Sequence, residues 1–149
     1  MKKTVPSAAK MGLGQRLETL YERYNQRCYV SPDPLEVLYD YPDILDREII
    51  AFIAAALAYG NVQQILKSIE RVRHIMGNAP RNYLVSGKPS DFHIDFKDFK
   101  HRFATGGHVA AMVAGLKHLI LKHGSIQNAF ASALSISDAT CLPALDAFV

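Results

Sequence analysis

Eleven consecutive apolar residues, Ile49 to Tyr59 (IIAFIAAALAY), stop at Gly60-Asn61 and give way at once to a strongly amphipathic segment. This reads as a buried helix, a tight turn and a surface helix. Asp46 is placed to cap the first helix and Glu48 to complement its dipole, while Gly60 can adopt the left-handed conformation that ends a helix. Ala51, Ala54, Ala55, Ala56 and Ala58 keep the helix thin, so neighbours can approach from all sides. A helix apolar all round belongs in a core. The run is too short to cross a bilayer.

The flanking sequence supports the same class. A helix is expected from about Gln15 to Tyr24, with Leu13, Leu17, Leu20, Tyr21 and Tyr24 on one stripe. Asp33-Pro34 starts a short helix through Val37 and Leu38. Asn61, with Gln64 three positions on, forms a capping-box pattern for a helix that Gly77 ends, its inner stripe being Val62, Ile65, Leu66, Ile69, Val72 and Met76. Pro80 opens a short turn of helix. Phe92, Phe96, Phe99 and Phe103 recur at helical spacing among Lys97, Lys100 and Arg102, which predicts an amphipathic helix or a pair of helical turns. A long helix is expected over Val109 to Lys122, another from Ser125 to about Leu134, and a last one from Ser137-Asp138 onward. No segment alternates with period two between hairpin turns, so no sheet is expected.

The chain is therefore expected to be all-α, a compact multi-helix domain around the apolar helix at 49–59. Its 149 residues suit one domain, which buries roughly 68–70% of the surface its unfolded chain exposes. Residues 1–11 read as a disordered basic arm, and 12–149 as a single domain. The last helix stops in mid-pattern at Phe148-Val149, so the domain is expected to be incomplete at its C-terminus, lacking a second half that would cover Leu142, Leu145 and Phe148.

Composition narrows function by exclusion. At 49% hydrophobic and 21% charged, the chain resembles an ordinary globular protein rather than a disordered or membrane-spanning one. Met1-Lys2-Lys3 is followed by no apolar stretch, so no signal peptide is visible. Cys28 and Cys141 are isolated and suit reduced thiols in the cytoplasm. Among the six histidines, His118 and His123 are five apart and diverge on a helix, and the others lack a second ligand at metal spacing. Neither a nucleophile motif nor a phosphate-binding glycine loop is present. Asp33, Asp40, Asp43 and Asp46 form a carboxylate cluster, two of which have work as helix caps. No cofactor or metal is implied, and no catalytic residue stands out.

Two basic stripes remain. Gln64, Lys67, Arg71 and His74 share the outer face of one helix, and Lys97, Lys100 and Arg102 interleave with the phenylalanines. Either set could contact phosphates or simply be solvated. A net charge of +3 permits an anionic partner without demanding one.

The segments RYNQRCYVSPDPLEVLYDYP, DREIIAFIAAALAYGNVQQILKSIERV and FKHRFATG resemble the N-terminal half of an uncharacterised bacterial family known only as a domain of unknown function. The resemblance runs from about Leu17 to the end. More distantly, Asp46 to Met76 resembles the opening of the helix-hairpin-helix DNA glycosylase fold, where the turn after the first core helix presents a side chain that wedges into the duplex. That resemblance implies a DNA contact through Tyr59, Gly60 and Asn61, with Gln64, Lys67, Arg71 and Arg102 on the same surface. Tyr59 stands where the glycosylases often have Gln, which favours stacking over hydrogen bonding. The chain has no L-P-G-x-G hairpin and no aspartate after one, so catalysis by these residues alone is not expected. Two functions follow: a DNA-binding, glycosylase-like protein, whose partners would be DNA and its own C-terminal half, or a non-enzymatic helical interaction module. Neither involves a membrane.

Overall fold

The computed structural model describes residues 12–148; the expected arm at 1–11 and Val149 lie outside them. Eight α-helices follow in order: α1 (Leu13–Tyr24), α2 (Ile44–Ala56), α3 (Val62–Met76), α4 (Pro80–Ser86), α5 (Pro89–Asp95), α6 (Gly106–His123), α7 (Ile126–Ala131) and α8 (Leu142–Phe148). Two short 3-10 helices, Arg27–Tyr29 and Pro34–Asp40, join α1 to α2. The all-α expectation holds with one correction. Lys100–His101 (β1) and Ala104–Thr105 (β2) pair antiparallel as a small hairpin, with Lys100 opposite Thr105 and His101 opposite Ala104.

The core draws mainly on α2, α3 and α6, with α4 packed against both α2 and α6. Ile49, Ile50, Ile53 and Leu57 of α2 join Ile65, Ile69 and Val72 of α3 and Val109, Val113 and Leu116 of α6 in one buried cluster. Phe92, Phe96 and Phe99 close one end of this cluster. Each large side chain buried there contributes roughly 1.5–3 kcal/mol of transfer free energy. Gly106 begins α6 where a side chain is impossible, because a Cβ would overlap the Phe96 carbonyl. That close approach seats α6 on the turn after α5.

The apolar run differs from its expected form in three ways. It is helical only to Ala56, and Tyr59 lies beyond the helix. Its alanine face is open, with Ala55, Ala56 and Ala58 exposed, so the helix is core on one side rather than all round. Its N-cap is Asp43, whose carboxylate accepts the Leu45 N–H at 2.7 Å, and not Asp46. Asp46 instead accepts the Arg81 N–H at 2.7 Å at the start of α4. Glu48 likewise accepts the N–H groups of Ile126 and Gln127 in the first turn of α7. Unpaired amides at a helix start attract whichever carboxylate is nearest in space. The acids of α2 thereby fasten two other helices to it.

Several local signals stand where the sequence puts them. Asp33 caps the Pro34 helix, which is 3-10 rather than α, and Gly77 at φ 70 ends α3. Asn61 caps α3 by accepting the Gln63 N–H at 2.9 Å, without the reciprocal bond from Gln64 that a capping box requires. Ser125 caps α7, which ends at Ala131, three residues before Leu134, and α8 begins only at Leu142. The phenylalanine stripe is not one helix. Phe92 lies on α5, Phe96 and Phe99 on the turns after it, and Phe103 on the hairpin. The stripe of α1 is largely uncovered: the helix has no buried residue, Leu13 and Leu17 are 71% and 57% exposed, and Tyr24 at its end packs edge to face on Tyr29.

Candidate functional site

The turn after α2, the outer face of α3 and the hairpin meet at one place, held by a buried histidine. His101 is 3% exposed and its Nδ1 stands 2.8 Å from Ser68 Oγ on α3. Its Nε2 stands 3.2 Å from the Tyr59 carbonyl. A carbonyl can only accept, so these partners assign the proton to Nε2 and leave Nδ1 to accept from the Ser68 hydroxyl. The Tyr59 hydroxyl returns the contact by donating to the His101 carbonyl at 3.1 Å, and the two rings meet edge to face at 4.8 Å. Turn, helix and hairpin are thus joined through one residue with its polar atoms satisfied.

The hydroxyl and ring of Tyr59 both engage His101, which fastens the turn to the hairpin, and the residue stays half-buried. Gly60 follows at φ 103, a conformation glycine adopts without strain. The side chain of Arg102 lies against it, and a Cβ on Gly60 would stand 2.8 Å from Arg102 Cδ. Asn61 is occupied as the cap of α3 through its side-chain oxygen.

Gln64, Lys67 and Arg71 lie exposed along α3 at spacings of three and four. Arg71 reaches the turn after α5, donating to the Asp98 carbonyl at 2.8 Å and covering the Phe99 ring at 5.3 Å. The predicted residues are therefore brought together at one seam, from Arg102 against Gly60, past His101 on Ser68, to Arg71 on Asp98. Lys67, Arg71 and His74 also line a shallow groove of about 620 Å³ with Glu70 and Ile75. Lys97 and Lys100 are exposed beside the seam, Lys100 on the face of β1 opposite His101.

Charge is distributed unevenly across α3. Arg73 is bound to Asp40 and Glu70, each at 2.9 Å, and its Nε donates to the Tyr41 hydroxyl at 3.3 Å. Burial opposes its charge, but Tyr41 and the two carboxylates outweigh it and raise the guanidinium above its ordinary pKa. Among the described residues these are the ion pairs within 4.0 Å, and none involves Lys67, Arg71 or Arg102. A cleft of about 510 Å³ lies on the Arg73 side, lined by Arg27, Glu36, Asp40, Lys67 and Glu70 among others.

No three His, Cys, Asp or Glu side chains among the described residues converge as a metal site would require, and no described helix is long and apolar enough to cross a membrane. The family model described as "Protein of unknown function (DUF2400)" matches residues 33–149. The chain belongs to this family. No curated protein and no solved structure matches it. The span shared with DUF2400 takes in α2 to α8 with the whole seam, and leaves α1 outside.

Two residues of the site escape a reading of the sequence. His101 reads there as one more histidine among loop and helix-start residues, and Phe103 as part of a core stripe. The Arg102-Phe103 dipeptide between two short polar segments is the available signal for the second, whereas nothing local marks the first.

Proposed function

We propose that the outer face of α3, with Arg102 on the hairpin, binds the phosphodiester backbone of DNA. One observation carries this reading: Lys67, Arg71 and Arg102 lie along one seam without carboxylate partners among the described residues, while Arg73, two residues from Arg71, has two. Cations left unpaired on a rigid surface are available to phosphates, and releasing the counterions of DNA supplies the affinity. Gln64 and the amide of Asn61 add neutral donors beside them. The resemblance of Asp46 to Met76 to the opening of the helix-hairpin-helix glycosylases points the same way as the charge. It assigns no chemistry to these residues, and the function proposed is binding.

Anisotropy of a labelled duplex, titrated with protein across a salt series, tests this. Affinity is expected to fall linearly with salt on logarithmic axes. Replacing Lys67, Arg71 and Arg102 together by Gln should flatten the slope by about one unit for each phosphate no longer neutralised. Absence of salt-dependent binding overturns the reading.

The interaction-module reading has an observation of its own. α1 exposes Leu13, Leu17, Leu20, Tyr21 and Tyr24 on one stripe, and α8 exposes Leu142 and Leu145. Contiguous apolar surface of this kind drives association. Sedimentation velocity of the chain and of a Leu17→Lys, Leu20→Lys variant separates the two: loss of association in the variant with DNA binding intact assigns α1 to protein contacts alone.

A further inference from the structure

Of seven phenylalanines, six are buried or half-buried, and Phe103 is 81% exposed. It occupies the tip of the hairpin, where Arg102 and Phe103 form the two-residue turn between His101 and Ala104. Arg102 there has φ 50, a left-handed conformation uncommon for a residue with a side chain and usually filled by Gly, Asn or Asp. The turn thus keeps a guanidinium and an aromatic ring side by side, Cζ lying 5.8 Å from the ring centroid, at a position where solvent-facing turns ordinarily carry small polar residues.

The mount is rigid while the tip is bare. His101 below it is fixed to Ser68 and Tyr59, the Arg102 side chain rests on Gly60, and β2 leads straight into α6 at Gly106. The backbone that carries the ring is held in this way, so little of it has to be ordered when something covers the ring. The ring is 81% exposed with the Arg102 guanidinium over it, and the neighbouring surface is the cationic seam. A flat exposed ring beside a cation, next to a track of cations, is the combination that holds single strands: bases stack on the ring while their phosphates meet the charges.

We infer that Phe103 is a stacking platform for an unpaired base, so that the seam prefers single-stranded DNA, or duplex carrying an unpaired base, to intact duplex. The inference rests on the reading of the seam as a phosphate-binding face, and it names the substrate class of that face. The stack is assigned to Phe103 rather than to Tyr59, which is half-buried against His101.

The test uses the full chain and three labelled probes at matched salt: oligo(dT), a blunt duplex of the same length, and that duplex with one unpaired base. The chain is expected to bind oligo(dT) and the unpaired-base duplex more tightly than the blunt duplex. Phe103→Ala should weaken the first two by roughly tenfold, as expected for one stacked base, and leave blunt-duplex affinity and salt slope unchanged. Phe103→Trp supplies a second readout, because the chain contains no tryptophan. It should retain the preference, and its fluorescence should be quenched by oligo(dT) but not by blunt duplex. Equal binding of all three probes with a normal salt slope, unaltered in Phe103→Ala and without quenching, overturns the platform and leaves the phosphate face standing. No salt-dependent binding to any probe removes both.

Discussion

Arg71 and Arg73 stand two residues apart on α3 and have been put to opposite uses. Arg73 faces the Pro34–Asp40 helix, where Asp40, Glu70 and the Tyr41 hydroxyl gather around it. Arg71 faces the turn after α5, where it finds a backbone carbonyl and the Phe99 ring but no carboxylate. Residues two apart on a helix point nearly to opposite sides, so α3 divides the surface into a side whose charge is spent internally and one whose charge is left over. Net charge therefore says little about binding. Formal charge is only +3, and among the described residues Arg73 is the one cation held in ion pairs, so what sets the seam apart is that Lys67, Arg71 and Arg102 stand unpaired together.

The largest expected effect comes from the residue that assembles the unpaired side. His101→Ala leaves the Ser68 hydroxyl and the Tyr59 carbonyl without their partners and opens a cavity, which should destabilise the chain by about 2–4 kcal/mol in a urea melt. Binding to DNA should weaken with it, since the hairpin loses its anchor. A loss below about 1 kcal/mol would show that other contacts hold the tip.

Next comes Gly60→Ala. Positive φ and the side chain of Arg102 both resist a Cβ there, and a loss of about 1–3 kcal/mol is expected. Arg102 must also move, so DNA affinity should fall by more than stability alone explains. Unchanged affinity would place Arg102 outside the contact surface.

The two arginines then separate the sides directly. Arg73→Gln should lower stability by about 1–2 kcal/mol, an intermediate value because Arg73 is largely buried whereas Asp40 and Glu70 are half or more exposed. Its salt slope for DNA should not change. Arg71→Gln should do the reverse, lowering stability by less than about 1 kcal/mol and the slope by about one unit. Identical behaviour of the two variants would break the comparison outright.

How much of the molecule is legible in its sequence follows from how far each signal reaches. Asp33-Pro34, Asn61, Gly77 and Ser125 are readable because a cap is settled within a few residues. The face of Gln64, Lys67 and Arg71 is readable because helical period alone aligns it. Asp46 and Glu48 look like parts of their own helix, yet they fasten α4 and α7, and no local pattern distinguishes an acid that serves its own helix from one that serves another. Spacings of four, three and four in the phenylalanines fit one helix as well as a helix, two turns and a hairpin, so only the fold reveals that Phe103 is turned outward. The lock on Tyr59 is out of reach for a similar reason: His101 is 42 residues away from it and 33 from Ser68. The stripe of α1 shows the opposite limit, since periodicity reports an apolar face and not whether anything covers it.

The smallest effect is the most discriminating, because it adds binding instead of removing it. Asp40→Asn with Glu70→Gln takes both carboxylates from Arg73 and leaves the rest of α3 intact. If missing partners are what make the seam bind, freeing a third cation on α3 should strengthen DNA binding and steepen the salt slope by up to about one unit. The gain should be modest. Arg73 remains tied to the Tyr41 hydroxyl and only 22% of its side chain is exposed, so a phosphate reaches it less easily than Lys67 or Arg71. Stability should fall by no more than about 1 kcal/mol, since both acids are well solvated and such pairs contribute little. Anisotropy on the same duplex at several salt concentrations measures the change. A double variant that folds normally and binds DNA no better than the parent would show that the shape of the seam, and not the lack of acidic partners, decides which side of α3 meets the nucleic acid.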